Sequence, residues 1–434
     1  MQEVENKTNF GSPKDIKRNV ILYFFDGVTF MPAWALISMA TVVPLFLTQL
    51  NATTTHFAIA TAMVTICSFA AQPVFASIAS RTRLIGKTFA KILFLQRILF
   101  LAFVLSMPLF VSNNLVFIWV FLLSWIVFNF FGNSGMVFNA VLILKLLPPE
   151  KRAGMRGVGF ATGNTIALGC AASIPFILGS FAFPYNFMII FSIGLLFLFL
   201  NALGFFLMKE HDDVEPRVSM GILETIKGIP ISLREDKVFR AMICTCMFLV
   251  VANSLIPFYT LYAIQVFSAS EPQVAILATL GIITGVFINV VFGFIIDRKG
   301  PVKLSPLAAA FVILAGVVAL TANSMINLYI AWVLAHFGAG LYNKTTMLML
   351  GDVSPAGKVP LYVSVLFTVS MALSSVFVLL LGPILEHVGF IVLFIVITAC
   401  GGISLYLNLF VFQRLLAKRK KANATELADA DTTK

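Results

Sequence analysis

VFGFIIDRKGPVK, Val291 to Lys303, sets one acid and three bases between two long apolar runs. VFASIASRTRLIGK, Val74 to Lys87, is a near copy earlier in the chain, with Ser80 where the later stretch has Asp297. A short charged interruption that recurs between oily segments reads as a loop at a membrane surface. What surrounds it decides the fold.

The surroundings are oil. The 434-residue chain is 59% hydrophobic and 11% charged, against about half and about a quarter for a soluble domain. An apolar run of ~20 residues crosses a bilayer as a helix. Such runs recur at 19–48, 56–80, 90–111, 115–145, 157–179, 186–208, 238–267, 273–296, 304–322, 327–350, 359–383 and 389–413. They are too long and too uniformly apolar for barrel strands, which alternate over ~10 residues. The chain therefore reads as an all-α polytopic membrane protein with twelve transmembrane helices.

Lys and Arg test that count. With the N-terminus in the cytoplasm, Lys14, Lys17 and Arg18, then Arg81, Arg83 and Lys87, then Lys151, Arg152 and Arg156 fall inside. So do the bases of 209–240, then Arg298, Lys299, Lys303 and Lys358, and the basic tail from Arg414. The outer loops carry no Lys or Arg, as the positive-inside rule requires of the right span count. Both termini are expected to be cytoplasmic, in a plasma or inner membrane. The first apolar run is too long for a cleaved leader and is expected to stay as span one. The net charge of +11 is then a consequence of topology, and no nucleic-acid partner is expected.

The two charged stretches also mark a repeat. Val74-Phe75-x-x-Ile78-x-x-Arg81 matches Val291-Phe292-x-x-Ile295-x-x-Arg298, each after the second span of its half. Phe131-Gly132 matches Phe337-Gly338 in the fourth spans, and TVVPLFL around Pro44 matches SLIPFYT around Pro257 in the first spans. The polar interval Met208–Lys237 divides six spans from six, with an amphipathic helix expected at 220–231. The expected organisation is a segment 1–18, a bundle 19–208, a linker 209–237, a second bundle 238–413 and a tail 414–434. Pro44, Pro257 and Pro383 are expected to kink their spans.

Gly293-x-x-x-Asp297-Arg298-x-Gly300 resembles the signature loop of the major facilitator superfamily. The span count, the central loop and the six-plus-six split extend the resemblance over the whole chain. It implies two pseudo-symmetric six-helix bundles and a solute site near the midplane, lined by spans one, four, seven and ten. It also implies a cytoplasmic latch, for which Asp297, Arg298, Arg81 and Gly293 are the residues here. A latch must break in every cycle, and an exposed ion pair of ~0–1 kcal/mol suits that. The first copy departs from the pattern, with Ala76 for Gly and Ser80 for Asp, so the latch is asymmetric. The antiporter signature of the family ends in Gly-Pro in span five, where this chain has Ile174-Pro175.

Ionisable groups inside a span are costly and point to function. Asp26 lies about 12 Å in from the cytoplasmic end of span one, and Lys344 at a similar depth in span ten. Asp26 is read as the proton site or as the partner of a cation such as Lys344. Lys344 is read as an anchor for an anionic group or as a gate against Asp26. His336 and Asn343 share the broad face of Lys344; Asn129 and Asn133 form a polar line in span four, and Asn253 and Tyr259 the opposing wall in span seven. Arg97, six residues past Lys91, and Lys145 are read as snorkelling to the cytoplasm. The glycines of span five, Gly157, Gly159, Gly163, Gly169 and Gly179, suggest close helix packing. The five cysteines all fall in apolar runs and read as buried hydrophobes.

No phosphate-binding loop of Walker type, metal-ligand spacing or nucleophile–base pattern occurs, so no cofactor and no enzyme are expected. The function read is a secondary active transporter, monomeric and proton-coupled, moving a small amphipathic or weakly polar solute. A uniporter or lipid-handling flippase of the same fold is the alternative within transport, and a membrane sensor outside it.

Overall fold

The computed structural model describes residues 12–210, 234, 236–354, 359–419 and 421, without the side chains of 80, 144, 149–156, 297, 352 and 359–361. Most of the expected linker, with its amphipathic helix, and the outer parts of both terminal segments lie outside the described residues.

The described residues are helical, without a strand. Twelve helices are long and apolar enough to cross a membrane. They are α1 Pro13–Leu36, α2 Thr54–Ala79, α3 Ile85–Leu109, α4 Asn114–Ile143, α5 Gly157–Ser180 and α6 Tyr185–Leu207. The series continues with α7 Lys237–Phe267, α8 Glu271–Ile296, α9 Pro301–Leu320, α10 Met325–Gly351, α11 Tyr362–Val388 and α12 Ile391–Arg419. By backbone proximity the chain forms two compact units. One is Met1–Ile222 with Ser270–Ile282, the other Leu223–Ala269 with Ile283–Lys434.

Local chemistry sets the ends. Ser12 and Asp15 form a reciprocal capping box at the start of α1, and Thr53 and His56 do the same for α2. Asp236 accepts from the backbone N–H groups of Val238 and Phe239 and opens α7. Gly300 closes α8 with φ of 82°, a region that favours glycine.

The first span is not one kinked helix. It stops at Leu36 and restarts as the short helix Val42–Gln49. The seventh breaks in the same way, after Ser254 and before Pro257. Pro257 has no backbone N–H to offer, which costs nothing at the first position of a helix, and the helix restarts there. Both prolines lie in the restarted segment, Pro44 as its third residue and Pro257 as its first. Pro383, in contrast, sits inside the unbroken helix Val359–Val388.

Phenylalanine builds the interior of the first unit. Phe46 packs against Phe117, Phe121, Phe183, Phe187 and Phe191, with ring centroids 4.9–6.2 Å apart. Aliphatic side chains such as Leu105, Leu109 and Leu123 are exposed on the outside, as expected of a surface solvated by lipid. Between α1 and α5 the backbones touch. A Cβ on Gly159 would stand 2.6 Å from the Phe24 carbonyl oxygen, and one on Gly163 would fall on the carbonyl of Gly27. Gly157, Gly169 and Gly179, expected to pack in the same way, face open space.

Candidate functional site

Asp26 is 5% exposed, inside the first unit. Asn201 on α6 donates from Nδ2 to its Oδ1 at 2.8 Å. The other end of the same amide, Asn201 Oδ1, accepts from Arg97 Nη2 on α3 at 3.3 Å. Arg97 also donates from Nε to the Leu198 carbonyl at 2.9 Å and from Nη1 to Gln96 Oε1 at 3.0 Å. Gln96 in turn donates to the Phe128 carbonyl of α4 at 2.6 Å. One acid and one base are thus joined through a neutral amide and tied into four helices.

Arg97 does not snorkel. It is 2% exposed, and its guanidinium points into the bundle. Phe89, Leu93, Gln96, Arg97 and Phe100 make one buried stripe of α3, while Lys91 is exposed on another face. Six residues of separation turn a helix by about 240°, so the position of Lys91 says nothing of where Arg97 points. Gly132 makes room for the network: a Cβ there would stand 2.7 Å from Gln96 Nε2. Taking an ion out of water costs several kcal/mol, roughly, unless donors and charges are matched, so the arrangement is an expensive one to build by chance.

The network forms part of the wall of a cavity of about 530 Å³, lined by residues from α1 to α6. Asp26 and Arg97 are the charged groups among its lining residues. Asn129 and Asn133 also line it, and each spends an amide N–H on its own helix, at Trp125 O (2.8 Å) and Asn129 O (2.9 Å). Asn139, which the sequence reading passed over, lines it with a buried Oδ1 that has no partner among the described residues. Aromatic rings complete the wall, among them Phe30 and Trp34, stacked at 5.8 Å and 19°.

The second unit holds the other expected residues. Asn253 is half-buried, one residue before the helix ends at Ser254. Tyr259 is fully enclosed, 5.2 Å from Phe394 between ring centroids, and its hydroxyl has no partner among the described residues. The His336 ring lies tilted against Trp332, with centroids 4.4 Å apart and Nδ1 3.0 Å from the Trp332 carbonyl. Asn343 is exposed and Lys344 half-buried, with Nζ 3.9 Å from where a Cβ on Gly293 would stand. Arg298 is exposed at the end of its helix, as is Arg81 in the first unit. The side chain of Asp297 lies outside the described residues. Asp26 belongs to the first unit, where it accepts from Asn201, and Lys344 belongs to the second.

Lys145 does not reach water either. Its side chain is 7% exposed and pairs with Glu210 at 3.1 Å. Glu210 also accepts from the N–H groups of Ile85 and Gly86, at 2.8 and 2.6 Å. An acid at the start of a helix satisfies otherwise orphaned donors, so Glu210 fastens the ends of α3, α4 and α6 together.

The sequence model of the Major Facilitator Superfamily matches residues 241–434. Among solved structures, a point mutant of the nucleoside transporter NupG superposes with a TM-score of 0.68 at 10% identity, covering 92% of this chain and 99% of that one. NupG itself gives 0.65 at 13% identity, covering 93% and 99%. The human organic anion transporter MFSD10 (TETRAN) gives 0.60 at 13% identity, covering 92% and 100%. No curated protein sequence matches. At these identities the structures share the fold, and the family model supplies an independent match in sequence.

Proposed function

From a multi-pass membrane chain that has the major facilitator fold throughout and matches that superfamily over its second half, we propose a secondary transporter that works by alternating access. Its cargo is a small amphipathic or weakly polar solute, its driving ion a proton, and its termini face the cytoplasm of a plasma or inner membrane. The observation that carries this reading is the enclosed Asp26–Asn201–Arg97 network on the wall of a cavity. Pockets of about 300–1,000 Å³ hold small molecules, and this one combines aromatic faces with amides. A carboxylate at that wall is expensive as a lone ion, so its proton follows its surroundings. When the cavity opens to water on one side or the other, those surroundings change, and a proton gradient acquires a hold on the conformational cycle.

The test is uptake by the purified chain in proteoliposomes, with radiolabelled uridine and 3-phenylpropionate as probes. An inwardly directed proton gradient should raise accumulation of at least one of them above equilibration. Equilibration unaffected by the gradient would favour the uniporter.

A further inference from the structure

Arg97 has five N–H donors and spends three, on Leu198 O, Gln96 Oε1 and Asn201 Oδ1. One N–H on each of Nη1 and Nη2 has no partner among the described residues. A guanidinium with open N–H groups is a donor for charge-assisted bonds to a carboxylate. The nearby acid does not take them, because Asn201 stands between Asp26 and the guanidinium. An enclosed cation with open donors and a counter-ion held off by one amide is an incomplete site, and it borders an open cavity. Flat apolar groups lie on the same wall. Phe30 and Trp34 stack on each other, and Trp34 keeps 53% of its surface exposed.

We propose that this cavity is a carboxylate site, in which the open edge of Arg97 takes the carboxylate of an arylalkyl monocarboxylic acid while the aryl group packs on the Phe30–Trp34 wall. The proposal rests on the transport reading above and names its substrate class.

It also accounts for coupling. In the empty cavity Asp26 and Arg97 balance one another. An incoming carboxylate neutralises Arg97 and makes Asp26 a surplus anion in a dry wall, where like charges oppose ionisation. Asp26 therefore takes a proton from solution. One carboxylate and one proton enter together, no bond other than the O–H of Asp26 is made, and the charge of the site is unchanged. Beside Asp26 stand Arg97 from α3 and Asn201 from α6.

The experiment measures binding to the purified full-length protein for 3-phenylpropionate, phenylacetate, benzoate and indole-3-acetate, each against its primary amide. At least one acid should bind about tenfold or more tightly than its amide, the worth of one good charge-assisted contact. In Arg97→Gln the preference should vanish, and Arg97→Lys should keep part of it. Trp34→Ala, on an exposed face where folding is not at stake, should weaken acid and amide alike. In a weakly buffered solution with a pH indicator, binding of the acid should draw about one proton per site from solution near neutral pH, and Asp26→Asn about none. Acids and amides that bind equally well in the unmodified protein overturn the proposal without recourse to any variant. So does an acid preference that survives Arg97→Gln. Gradient-driven uptake of uridine without any acid preference would end this proposal and leave the transport reading standing.

Discussion

The guanidinium of Arg97 is held by two side chains and one carbonyl, and its charge is answered by Asp26 through Asn201. Cutting one member from a buried charged set costs about 3–5 kcal/mol, because the other is left uncompensated. Arg97→Gln should therefore lower the melting temperature of the detergent-solubilised protein sharply. Asp26→Asn added to it should return part of the loss, with a coupling of about 0.5–3 kcal/mol. Strictly additive losses would mean that the two charges do not sense each other. Asp26 was legible in the sequence because a lone acid in an apolar run declares itself. The role of Arg97 was not legible, because its distance from Lys91 along the chain does not state which helix face each occupies. Asn201 carried a weaker version of the Asp26 signal, one amide in LFLFLNALGFF, and went unused.

At the scale of elements, glycine sets how closely α1 can approach α5. Gly163→Ala should push a methyl onto the Gly27 carbonyl, at an overpacking cost of about 1–3 kcal/mol. Gly169→Ala, with nothing within 4 Å, should be neutral or slightly stabilising through helix propensity. The yield of monodisperse protein after a brief heat challenge separates the two, and equal losses would remove the close contact from the account. Spacing in the sequence marked span five as glycine-rich but could not say which glycines face α1, since that depends on helix rotation. The breaks in α1 and α7 were foreshadowed by Pro44 and Pro257, whereas Pro383 leaves its helix unbroken. Whether a proline breaks a helix depends on what re-satisfies the freed backbone groups, and that is tertiary information. Glu210 belongs here too. Glu210→Ala should remove the acid that pairs with Lys145 and accepts from the N–H groups of Ile85 and Gly86, and should increase amide exchange at the start of α3 more than anywhere else in the first unit. Uniform exchange would deny it that fastening role.

For the whole molecule, composition and the sidedness of Lys and Arg were enough to give twelve spans, because insertion into lipid is governed by those same quantities. The loop at Gly293 resembles the superfamily signature, and the fold agrees with that resemblance. The cavity was not legible, since its wall is assembled from six helices whose rotations the sequence does not state. What the molecule does with that cavity comes down to whether Asp26 links protons to solute. The most direct measurement is accumulation in proteoliposomes by the unmodified protein and by Asp26→Asn, at equal protein content, with and without an imposed pH gradient, using whichever probe the unmodified protein concentrates. The account predicts that Asp26→Asn still exchanges the solute across the membrane but brings it only to equilibrium, whatever the gradient. Accumulation above equilibrium by Asp26→Asn, driven by the pH gradient as in the unmodified protein, would contradict it.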